Sequence, residues 1–175
     1  MHPATTRAAV QHRHNEALTL QSLPLPATIE PGAALVRITC ATLCGTDAEI
    51  WSGRMSFPDM LPIVPGHEMV GEIVAAGPGC IDALGQPLAE GDRIGWSEST
   101  CGHCHGCTIL REPVACAHRG YGFLQRADRP PHATGGLSEY VYVTPGAAKL
   151  KLPADLPETW ASMAGCAAKT VLRAI

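Results

Sequence analysis

Apolar positions along this chain come in short bursts rather than long stripes, and most bursts carry the two-residue period of a strand. Residues 34–41 (Ala-Leu-Val-Arg-Ile-Thr-Cys-Ala) are apolar and β-branched enough to predict one strand. Residues 69–75 predict a second, closed by Gly77-Pro78-Gly79. Gly91-Asp92-Arg93 predicts a tight turn into Ile94-Gly95-Trp96, and Gly135-Gly136 opens a strand over 137–143 whose end alternates cleanly. A short strand at 148–152 is stopped by Pro153, and another is expected near 17–20. Helix is predicted only at Ala48-Glu49-Ile50-Trp51, with Thr46 or Asp47 as cap, and over 155–175, where Pro157-Glu158 starts it. Residues 1–14 have no period and predict a mobile lead-in, and 119–133 is loop-like.

Composition sharpens this into a fold class. With 18 glycines and 15 prolines in 175 residues, turns are frequent and long helices are not. Many short strands between such turns predict a mainly β architecture with short helices, a barrel or a sandwich. Hydrophobic residues at 46% and charged residues at 17% fit a globular domain with a real core.

Charge and cysteine content narrow the chemistry. The net charge of −3 is interspersed, with no basic run, and aromatics are 5%; neither suits a nucleic-acid surface. No run of about twenty apolar residues predicts a membrane span, and the N-terminus lacks the apolar core of a secretory signal. The expected compartment is therefore the cytoplasm, where eight cysteines are metal ligands or buried small residues before they are disulfides.

Four of the eight lie in a segment poor in apolar residues. Cys101, Cys104 and Cys107 are spaced two residues apart, and Cys116 follows after eight more. Structural zinc takes four tetrahedral ligands, usually thiolates, and Gly102 and Gly106 permit the turns that wrap one loop around an ion. His103 and His105 lie between the cysteines as rival ligands. A dispersed set is formed by Cys44, in Cys44-Gly45-Thr46-Asp47, by His67, in Pro65-Gly66-His67-Glu68, and by Cys166. Two thiolates and an imidazole would leave a fourth zinc position open for water or substrate. Asp47 could then fix the His67 tautomer, and Thr46 could relay the alcohol proton. Spacing alone does not join these three residues: Cys166 also reads as a buried helix cysteine, and Glu68 as an exposed acid at a strand start.

The run Gly66-His67-Glu68-x2-Gly71-x5-Gly77-x2-Cys80 resembles the zinc alcohol dehydrogenase signature of the medium-chain dehydrogenase/reductase superfamily. Cys44-Gly45-Thr46-Asp47, Gly91-Asp92-Arg93-Ile94, the four-cysteine lobe, Gly135-Gly136-Leu137-Ser138-Glu139-Tyr140 and Cys166-Ala167-Ala168-Lys169-Thr170 follow in the family's order. The resemblance implies a GroES-like β-barrel catalytic domain over 15–155, with a zinc lobe at 98–118. It implies two zinc ions per chain, a catalytic one on Cys44, His67 and Cys166 and a structural one on Cys101, Cys104, Cys107 and Cys116. Thr46 would begin the proton relay, Glu68 would neighbour the catalytic ion, and Thr170 would lie beside the nicotinamide of NAD or NADP.

Departures from the family pattern bear on particular residues. The gap before Cys116 is one residue longer than usual, which weakens its place in the lobe. Glu49 stands where many members continue the relay with histidine. Gly45 stands where some members set a basic residue against the cofactor pyrophosphate. No Gly-x-Gly-x-x-Gly unit is present, so 156–175 is expected to link toward a nucleotide-binding domain outside this chain, which is then a fragment. The expected activity is hydride transfer between a small alcohol or carbonyl compound and NAD(P), in a full-length homo-oligomer. A non-catalytic zinc-binding or interaction domain that kept the barrel is the alternative. Trp51 and Trp96 are candidates for pocket wall or core alike.

Overall fold

The computed structural model describes residues 2–175. Strand β1 (Thr5–Val10) pairs antiparallel with β2 (Thr19–Pro24) in a two-stranded sheet. Five more strands, β3 (Ala34–Thr42), β4 (Glu68–Ala76), β5 (Arg93–Ser99), β6 (Tyr140–Val143) and β7 (Ala147–Lys151), form an antiparallel sheet in the order β6-β3-β4-β5-β7. Its outer strands are consecutive in sequence. The three residues between them span at most about 14 Å, whereas the edges of a flat five-stranded sheet stand about 19 Å apart. The sheet therefore curls, as the expected barrel requires. Short helices α1 (Gly45–Trp51), α2 (His105–Thr108), α3 (Glu158–Met163) and α4 (Ala167–Ala174) complete the chain, with 3-10 turns at Pro113–Ala115 and Gly122–Leu124. Among the described residues no helix is long and apolar enough to cross a membrane.

The start of β3, Ala34 to Val36, is buried on both faces, which is why its alternation is imperfect. Leu35 packs with Ala8, Val10 and Val64 on one side, while Ala34 and Val36 pack with Ile73, Ile94 and Val141 on the other. A third, smaller core of Ile50, Met60 and Ile63 lies under α1 and carries Phe123 and Leu124 at its margin.

Four sequence expectations are corrected here. The lead-in is not mobile throughout, because it holds β1. Its inward residues Thr6, Ala8 and Val10 are small or half-polar, so their two-residue period is faint to a hydropathy count. Thr46 does not cap α1, and Asp47 does so from inside rather than as the N-cap: Cys44 is the N-cap, in an extended conformation, and Asp47 at the third helical position closes a capping box on the Cys44 N–H. The strand predicted from residue 137 begins at Tyr140, because the backbone of 137–139 bonds first to β1, through Ala9 N–H to Leu137 O and Glu139 N–H to Arg7 O. The C-terminal helix is broken in two at Gly165-Cys166, where the backbone of Cys166 leaves helical geometry.

The register positions the chemistry. Thr42 at the end of β3 faces Glu68 at the start of β4, so Cys44 and His67 lie just beyond the same end of that strand pair. Helix α3 packs on β3 and β4 and delivers Cys166 to the same place.

Candidate metal centres

Asp47 organises the dispersed set. From the third position of α1 its carboxylate turns back, with Oδ2 accepting the Cys44 N–H at 2.9 Å. Oδ1 accepts the Gly66 N–H at 3.1 Å and faces His67 Nδ1 at 3.2 Å. Gly66 reaches this position with φ +95, in the left-handed region open to glycine. Burial alone would raise the Asp47 carboxyl; His67 and the Cys44 N–H outweigh it and hold the group below its ordinary value. For His67 burial works downward, and Asp47 reverses it and raises the imidazole. A proton on Nδ1, donated to Asp47, leaves the Nε2 lone pair for a ligand.

Ligand atoms of Cys44, His67 and Cys166 all lie within 4.8 Å of one another. Three soft or borderline donors at that separation suit zinc and leave room for a fourth partner. Burial first, and then Cys44 and Glu68, push the Cys166 thiol up to about 11; a dication set among these groups would reverse that order. Glu68 is buried rather than exposed. Its Oε2 accepts from Thr42 Oγ1 at 2.9 Å and its Oε1 from the Ala167 N–H at 3.1 Å. It thus clamps the residue next to Cys166 onto the end of β3.

The four lobe cysteines also converge. Cys104 and Cys107 sulfurs are 3.6 Å apart, Cys101 and Cys116 3.7 Å, and Cys101 and Cys107 4.0 Å. Thiolates at about 2.3 Å from a tetrahedral zinc lie roughly 3.8 Å apart along each edge. The donor set fits that ion. The long link returns Cys116 to the group through Arg111, at φ +51, and the 3-10 turn Pro113–Ala115. Gly106 is required for a different reason from a turn: a Cβ there would stand 2.2 Å from Ala115 O. His103 and His105 fall outside the group of four, and His103 Nδ1 is engaged with Cys101 O at 2.8 Å.

The remaining candidates divide. Thr46 and Thr170 line a cavity of about 550 Å³ beside His67 and Cys166, as does Trp96. Thr46 Oγ1 is 3.9 Å from Cys44 Sγ, and Thr170 Oγ1 donates to Cys166 O at 2.9 Å. Gly45 opens α1 with free space where a side chain would be. Glu49 is drawn away by Arg54, through two hydrogen bonds of 2.7 Å, and lies outside that cavity. Trp51 does too, its Nε1 donating to Glu16 O at 2.8 Å. Two wall features had no sequence reading. Phe123 packs its ring 4.5 Å from that of His67, and Lys169 pairs with Glu98 at 2.6 Å. The available signal for the first was a pair of aromatics, Tyr121 and Phe123, in an otherwise polar loop.

Residues 30–154 match the Alcohol dehydrogenase GroES-like domain family. The chain is 36% identical over 172 residues to 5-exo-hydroxycamphor dehydrogenase of Pseudomonas putida, covering 95% of this chain and 45% of that protein. It is 30% identical to L-threonine 3-dehydrogenase of Chelativorans sp., over 90% of this chain and 42% of that one. The crystal structure of an alcohol dehydrogenase from Thermotoga maritima superimposes with a TM-score of 0.88 at 31% identity, covering 97% of this chain and 47% of that one. The chain thus spans just under half the length of these relatives.

Proposed function

The chain belongs to the alcohol dehydrogenase GroES-like domain family, and from that membership we propose that it forms the catalytic domain of a zinc-dependent alcohol dehydrogenase moving hydride between an alcohol or carbonyl compound and NAD or NADP. The observation that carries this is the convergence of Cys44, His67 and Cys166, from three distant segments, on one point beside a cavity. These three would hold the catalytic zinc, and Cys101, Cys104, Cys107 and Cys116 the structural one. Bound there, zinc supplies a Lewis acid that draws charge from the substrate oxygen.

The protein's own groups do the rest. Asp47 holds Cys44 and His67 in one orientation through a single carboxylate. Glu68 fixes Cys166 from the other side. Thr46, beside the cavity, takes the alcohol proton and passes it outward; with Glu49 turned toward Arg54, that proton goes to water. Thr170 would border the nicotinamide, and uncharged Gly45 would leave the cofactor phosphates to other groups. In this assignment residues 15–155 are the catalytic body, with the lobe at 98–118, and 156–175 lead toward a nucleotide-binding domain. The complete enzyme would assemble from identical subunits.

Metal analysis tests the proposal. The purified chain is expected to hold two zinc ions, falling to one in Cys44→Ser with the lobe ion retained. Two ions still present in Cys44→Ser would refute the assignment of the catalytic site.

A further inference from the structure

We propose that the cavity beside Cys44, His67 and Cys166 takes a bulky, uncharged, mainly hydrocarbon alcohol or ketone, with Tyr121 and Phe123 as the wall that sets its shape. The inference rests on the dehydrogenase function proposed above and names its substrate class. Its first support is size. A cavity of about 550 Å³ lies within the roughly 300–1,000 Å³ of pockets that bury a whole organic ligand. Even with a nicotinamide filling the part beside Thr170, a two-carbon alcohol would leave the wall from Met55 to Tyr121 largely in water.

The second support is the origin of the wall. Met55 and Phe57 come from the loop after α1, Trp96 from β5, Val114 from the turn Pro113–Ala115, and Tyr121 and Phe123 from the segment before and within Gly122–Leu124. Met55, Phe57 and Val114 are all exposed. One exposed apolar side chain needs no explanation, but here three exposed and three half-buried ones, from four separate segments, meet in one concavity. Each methylene buried there is worth roughly fourfold in affinity, and Met55 can adapt its shape to the occupant.

The third support is charge. The wall is a ladder that starts at the metal site. Phe123 lies over His67, Tyr121 meets Phe123 edge-on at 5.7 Å, and the Arg119 guanidinium lies over Tyr121 at 4.6 Å. Arg119 is therefore stacked on an aromatic face, with its guanidinium edge left for an acceptor. Lys169, the other cation lining the cavity, donates to Glu98 Oε2 and to Ser97 Oγ at 2.7 Å. A substrate carboxylate would have to displace Glu98 to reach Lys169 and would shed its own water anywhere in the cavity; among the described residues lining it, Arg119 is the one cation it could meet without displacing a partner. A neutral hydrocarbon body displaces nothing.

The experiment uses this chain loaded with Co²⁺ and three probes: cyclooctanol, ethanol and ω-hydroxyoctanoate. Binding is read from the change in Trp96 emission as the indole is desolvated, with Trp96→Phe as blank, and site occupancy from the cobalt–thiolate absorption that Cys44→Ser removes. Cyclooctanol is expected to bind at least roughly tenfold more tightly than either other probe. Phe123→Leu is expected to weaken it about threefold or more, with cobalt uptake unchanged. Equal affinity for ethanol overturns the inference. So does tighter binding of ω-hydroxyoctanoate, which Arg119→Gln would abolish if Arg119 recognised it, and so does an indifferent Phe123→Leu. Each of these leaves the dehydrogenase proposal standing, whereas failure of cobalt to enter the three-residue site removes both.

Discussion

Lys169 Nζ lies 2.6 Å from Glu98 Oε2, and this pair ties the helix that begins after Cys166 to the strand that runs into Cys101. The two candidate metal centres thus share a brace. Burial by itself would raise the Glu98 carboxyl, but Lys169 and Ser97 outweigh it and hold the group at about 2, against an ordinary 4.5. A carboxyl whose folded value is depressed stabilises the fold above its unfolded value, and loses that contribution as pH falls through the folded one. Glu98→Gln is accordingly expected to be less stable than the parent at pH 7 by about 1 kcal/mol, the scale of a partly exposed ion pair. The gap should close as pH drops from about 4.5 toward 2. Urea titrations of both proteins across that range check it; a gap that does not change with pH would show that the brace is not ionic.

Gly106→Ala tests whether the lobe depends on backbone contact. The new methyl would meet Ala115 O at 2.2 Å and Cys116 N at 3.1 Å, so the backbone carrying the fourth cysteine must move. Overpacking of this kind costs about 1–3 kcal/mol, and the lobe ion is expected to be lost while the Cys44 site keeps its own. Gly102→Ala provides the contrast. At Gly102 the difficulty is φ +74 with open space around it, so a strained but complete site should survive. Zinc counted per chain in the two variants separates contact from strain.

The legible parts of this molecule are those whose signal is local. The strand at Glu68–Ala76, the turn at Gly91, and the lobe cysteines could be read from a few adjacent residues, because period and spacing are enough. The dispersed site could not. Cys44 and Cys166 are brought together by the β3–β4 register and the packing of α3, which no window of sequence contains, and only family resemblance joined them. Phe123 against His67 is hidden for the same reason, and so is the pairing of Glu49 with Arg54 in the following loop. Strand β1 escaped because its inward face, Thr6 and Ala8, is too weakly apolar to mark a period.

Asp47→Asn should loosen the Cys44 site selectively. The carboxylate accepts from the Cys44 and Gly66 N–H groups and from His67; an amide keeps one oxygen and turns a donor toward another donor. Loss of such an orienting partner typically costs 10–100-fold in metal affinity, so a drop of about that size is expected at the three-residue site, with the lobe unchanged. Competition against a chromophoric chelator resolves the two sites. Unaltered affinity would mean that Cys44 and His67 are held by other contacts.

Glu68 is the last residue whose role can be separated by substitution. Its two oxygens take the Thr42 hydroxyl and the Ala167 N–H, and Thr42 Oγ1 also lies 3.2 Å from Ser162 Oγ. Glu68→Ala removes the acceptor of both donors; Thr42 can turn to Ser162, but the Ala167 N–H loses its partner, at about 1 kcal/mol, and the chain beside Cys166 is freed. Glu68→Gln behaves differently. Its carbonyl oxygen can still accept from Ala167, and its NH₂ can face Thr42 once that hydroxyl turns to donate to Ser162. If the side chain serves as a clamp, Gln should keep most of the stability and metal affinity that Ala loses. If it serves through its charge beside the ion, Gln should fail as badly as Ala. Parallel melting and metal-competition curves for the two variants decide between clamp and charge.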